Sequence, residues 1–92
     1  MEEKGRKPAV EAKDYSSEID KRAKVVFDAM RPRVSEDDYR RLVDSFEVAR
    51  EAHSKQKRKT GEPYIFPPIA VAAIAALELN LDVDSVIAAF LH

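Results

Sequence analysis

From Pro63 to His92 the chain carries no lysine or arginine, and 21 of these 30 residues are apolar. All 16 basic residues lie upstream. A segment composed like this is protein interior, and whatever fold forms must bury it. Lipid is excluded as the burying medium. The longest uncharged stretch, Pro63 to Leu77, is interrupted by Pro67 and Pro68 and falls short of the ~20 apolar residues of a membrane span. With 92 residues in all, the chain is bounded to one small domain. The absence of cysteine excludes a disulfide scaffold and a thiolate-held zinc. A net charge of −1 argues against a dedicated nucleic-acid binder, whose affinity rests on excess Lys and Arg. No charged-then-apolar leader opens the chain, so a soluble, cytoplasmic protein is the expectation.

Hydrophobic periodicity predicts an all-α fold of four helices. Residues 1–14 mix both charge signs with Gly5 and Pro8 and hold few apolar side chains, which predicts a mobile charged tail. Helix one is expected from Ser16 to Met30, with Ile19, Ala23, Val26, Phe27 and Met30 at helical spacing and Pro32 to end it. Helix two starts at Ser35, ahead of Glu36, Asp37 and Asp38, where negative charge meets the positive end of the helix dipole. Its stripe of Tyr39, Leu42, Val43, Phe46 and Ala49 fades near Lys57. After a loop marked by Gly61 and Pro63, Pro67 or Pro68 suits the first turn of helix three, which runs to about Leu79. That helix is apolar almost all round, so burial on several sides is expected. Asn80 stops it, and Asp82 or Asp84 caps a fourth helix, Ser85 to His92. Helix four is apolar on nearly every side, which leads us to expect residues 15–92 to be the N-terminal helices of a larger, truncated domain. Exposed faces of helices three and four would then offer a route to self-association.

Several residues carry a closer likeness. The Ala52-His53 pair, Gln56, the run Arg58-Lys59-Thr60-Gly61-Glu62-Pro63-Tyr64-Ile65, the helix start Pro68-Ile69-Ala70-Val71-Ala72, Leu81-Asp82 and Ala88-Ala89-Phe90-Leu91-His92 stand in order. This half of the chain resembles the start of the HD hydrolase domain of the RelA/SpoT-homologue family, proteins that make and degrade the alarmone (p)ppGpp. The resemblance implies an incomplete N-terminal part of an HD-type helical fold. It also implies a family activity, the metal-dependent removal of the 3′-diphosphate of (p)ppGpp, usually with Mn²⁺. In such sites imidazoles and carboxylates hold the ion, which lowers the pKa of a bound water.

The same resemblance assigns candidate residues. His92 matches the second metal-ligating histidine. The position of the first is taken by Pro67, which cannot ligate, and the carboxylates that complete the set have no counterpart before the chain ends. The expectation is therefore a chain that neither holds Mn²⁺ nor hydrolyses anything. Arg58, Lys59 and Thr60 match the nucleotide-contacting loop, where guanidinium stacks on guanine and pairs with phosphate, so weak binding of the guanine nucleotide alarmone is expected. Two other readings stand beside this one: a degenerate regulatory pseudo-hydrolase module, and a small helical nucleic-acid binder using Lys55 to Lys59. By residue type alone, that basic run is solvated charge at a helix end. His53 is a core or boundary histidine bonded to a carbonyl. Tyr64, Ile65 and Phe66 are core anchors of the loop.

Overall fold

In the computed structural model, residues 15–56 and 59–92 are described. The expected tail over 1–14 and two residues of the basic run, Lys57 and Arg58, lie outside them. Four helices follow in order: α1 (Ser16–Met30), α2 (Glu36–Ala52), α3 (Phe66–Ala73) and α4 (Val83–Leu91). A single 3₁₀ turn, Arg31–Arg33, leads out of α1 around Pro32. The all-α fold is the one that the periodicity predicts.

Local chemistry explains most boundaries. Ser35 has an extended backbone, and its hydroxyl accepts the Asp38 N–H at 3.1 Å, satisfying one of the amide donors left free at a helix start. Asp82 repeats the device at α4, accepting from Ser85 N–H at 3.1 Å. This places the start of α4 at Val83, two residues earlier than expected. Helix α2 stops at Ala52, short of Lys57, because His53 turns out of the helical region as its C-cap. Beyond Ala73, α3 widens into a π-type turn over Ile74–Glu78, with Leu79 N–H bonded to Ile74 O five residues back. Asn80, at φ 55°, then ends the helix in the left-handed region.

One core joins the elements. Ile19, Ala23, Val26 and Met30 of α1 meet Leu42, Phe46 and Ala49 of α2, Ile69 and Ala72 of α3, and Val86 and Phe90 of α4. The rings of Phe27, Phe46 and Phe90 pack edge-on or tilted with centroids 5.4–6.1 Å apart, favourable separations for aromatic pairs. Arg41 ties the first turns of α2 and α4 together by donating to Asp38 at 3.0 Å and to Asp84 at 2.9 Å. These bonds, Asp84 foremost, hold its guanidinium protonated even more firmly than usual. Arg50 joins α2 to Asp20 of α1 while its guanidinium lies over Phe46 at 4.9 Å.

The expectation that α3 is buried on several sides is corrected. Ile69 and Ala72 are buried, but Val71, Ile74 and Leu77 stand about half exposed, as do Leu79 and Leu91. Of these, Val71, Ile74 and Leu79 share one open apolar face of the molecule.

Candidate functional site

That face contains a groove of about 610 Å³.

Three elements supply the groove's walls. Pro67, Pro68, Val71, Ile74 and Ala75 come from α3 and its wide turn, Leu79 and Leu81 from the connection, and Ser85, Ala88 and Ala89 from α4. His53, Tyr64 and His92 complete the lining. Among the described residues no Asp, Glu, Lys or Arg belongs to it. The walls are apolar, and the polar groups are two imidazoles, a phenol and a hydroxyl.

The two imidazoles reach the groove by the same route. His53 is the C-cap of α2 and His92 the C-cap of α4. The carbonyl end of α2 therefore borders the groove, and such an end favours a cation. His53 Nδ1 lies 2.8 Å from Gln56 Oε1. A carboxamide oxygen only accepts, so Nδ1 donates in this contact. The Tyr64 ring lies 6.4 Å from that of His53, centroid to centroid.

The residues singled out from sequence divide into two groups. His92 and Pro67 come together on the groove, with His53 beside them. Lys59 and Thr60 occupy an exposed turn next to Gly61 (φ 91°) and are not part of the lining, while Arg58 lies outside the described residues. His53 does bond an amide carbonyl oxygen, as expected, but it does so at the edge of the groove. Tyr64 is corrected: Ile65 and Phe66 are core anchors, whereas Tyr64 is 43 % exposed and faces the groove. Its position was not readable from the Tyr-Ile-Phe run, because the turn before α3 decides which of three adjacent rings and chains points inward.

The donor set does not fit a catalytic divalent ion. Such ions need several imidazole or carboxylate ligands converging on one point. Among the described residues no group of three or more His, Cys, Asp or Glu side chains could hold one. Pro67, whose ring has no donor atom, lines the groove with His53 and His92. No helix among the described residues is long and apolar enough to cross a membrane.

Comparison with known proteins bears on the same half of the chain. The sequence pattern of the family described as "HD domain" matches residues 45–92. The bifunctional (p)ppGpp synthase/hydrolase SpoT of Escherichia coli K12 is 51 % identical over 57 residues, 62 % of this chain and 8 % of that protein. A guanosine-3′,5′-bis(diphosphate) 3′-pyrophosphohydrolase of Aquifex aeolicus is 54 % identical over 48 residues, 52 % of this chain and 7 % of the relative. A probable GTP pyrophosphokinase of Mycobacterium leprae is 50 % identical over 48 residues, 52 % of this chain and 6 % of the relative. The chain thus spans less than a tenth of these relatives' length. No solved structure matches it significantly. With the family pattern covering just over half of the residues, and with similar proteins of the RelA/SpoT type, this chain belongs to the HD-domain family.

Proposed function

We propose that this chain is a piece of a (p)ppGpp-metabolising protein, one that retains a nucleotide-facing part of an HD hydrolase domain and does not hydrolyse on its own. The observation that carries the reading is Pro67 on the rim of a groove that also holds His53 and His92. The resemblance implies a family activity in which a bound metal ion would supply an activated water. Here the position that the resemblance assigns to an imidazole holds a ring with no donor atom. Arg58, Lys59 and Thr60 are the proposed nucleotide contacts, by stacking and phosphate pairing, and His92 is a ligand by descent. A cytoplasmic setting belongs to the same reading, since the proposed ligand is a guanine nucleotide.

The test is release of pyrophosphate from ppGpp with Mn²⁺ present, paired with titration of labelled ppGpp. No turnover is expected from the chain or from Pro67→His, together with weak binding that Arg58→Ala abolishes. Turnover by the unmodified chain would overturn the inactive reading. Tighter binding to random RNA than to ppGpp would favour the nucleic-acid alternative.

The open apolar face supports a second proposal, self-association through α3 and α4. Val71, Ile74, Leu77, Leu79 and Leu91 each expose 44–60 % of their surface. Apolar patches beyond a few hundred Å² commonly mark contact surfaces.

A further inference from the structure

Behind the groove, the corner between α3 and α4 closes out of the usual register. When a left-handed residue ends a helix, the amide after it ordinarily bonds the carbonyl five residues back. With Asn80 in that role, the carbonyl would be that of Ala76. The wide turn over Ile74–Glu78 displaces the pattern by one residue, and Leu81 N–H bonds Ala75 O at 2.9 Å. Ala76, only 3 % exposed, offers its carbonyl to Arg33 instead, whose Nη1–H donates at 3.1 Å. Nη2–H of the same guanidinium donates to Leu81 O at 2.7 Å. One side chain from the turn after α1 therefore spans both ends of the connection.

That connection has two sides. Leu79 and Leu81 belong to the groove wall. Asn80 and Asp82 line, with Arg33, a cleft of about 390 Å³. We propose that Arg33 is a positioning residue for the groove, holding Leu79 and Leu81 in place from the rear. The planar fork of an arginine suits two carbonyls at once, which a lysine ammonium on a flexible stem does not reproduce. The inference uses no property of nucleotide or metal, so it stands or falls apart from the proposed function.

Hydrogen exchange followed by NMR on the 92-residue chain tests it. Arg33→Ala should speed exchange at the Leu79 and Leu81 amides about 10- to 100-fold, as expected for local opening once the two carbonyl contacts that hold the connection are lost. Leu42 and Phe46 amides should keep their protection. Side-chain methyl signals of Leu79 and Leu81 should move while those of Leu42 stay. Arg33→Lys should fall between the two. Arg31→Ala, which removes a neighbouring charge from Tyr39 and Glu36 without touching the connection, should match the unmodified chain. Unchanged exchange at Leu79 and Leu81 in Arg33→Ala would overturn the proposal. So would a uniform rise across the molecule, wholesale unfolding included, or a lysine variant as well protected as the original.

Discussion

Ser35 and Asp82 stand at two helix starts and satisfy the same kind of orphan amide, yet they respond differently to pH. Ser35→Ala should cost about 1 kcal/mol at any pH, read from urea unfolding. Asp82 adds a charge. Hydrogen bonds from Ser85, side chain first and then backbone, hold its carboxyl below the ordinary aspartate range. Because the folded value is depressed, the carboxylate's contribution is complete above the unfolded value of about 3.9 and is lost as pH falls through the folded one. The difference in Tm between the unmodified chain and Asp82→Ala should be level from pH 7 to about 5 and shrink below about pH 4. A difference that stays level down to pH 2 would remove the charge from the account.

At the scale of elements, the bend at Asn80 makes a sharp demand on residue type. At φ 55° a side chain branched at Cβ crowds the following carbonyl, so Asn80→Val should cost about 1–2 kcal/mol. Asn80→Gly should be neutral to slightly stabilising, and denaturant midpoints compare the two. The ends of α1, the cap of α2 and the stop at Asn80 were legible in the sequence because each depends on a residue and its immediate neighbours. The wide turn after Ala73 was not legible. The Ala76 carbonyl within it is taken by Arg33, more than forty residues away in the chain, and no pattern within Ile74–Glu78 announces that contact. The groove was half legible. The resemblance singled out Pro67 and His92, but placing His53 and Tyr64 beside them requires α2 to stop at Ala52 and α4 to end on the same side.

For the whole molecule, the separation of charge between the two parts of the sequence becomes a separation of surfaces. The polar face of α1 carries i,i+4 pairs, Arg22–Glu18 and Lys24–Asp28, and that of α2 carries i,i+3 pairs such as Arg40–Asp37, all exposed and adding little stability. The groove side carries apolar side chains instead. Sedimentation should therefore show a dimer or larger species. Val71→Lys combined with Leu79→Glu should return a folded monomer, since both positions are more than half exposed. A monodisperse monomer from the unmodified chain would count against self-association. On the opposite side of the core, Phe90→Ala should cost about 3–5 kcal/mol and leave the chain largely unfolded, because Phe90 is fully buried against Phe46.

The seat of Tyr64 also gives the protein an optical readout of its own. With no tryptophan, near-ultraviolet emission comes from three tyrosines. Tyr15 packs against Phe66, and Tyr39 packs against Phe27 beneath Arg31. Of the three, only Tyr64 belongs to the groove. Whatever enters there, nucleotide or second copy, alters one fluorophore and leaves two as internal standards, and Tyr64→Phe supplies the blank.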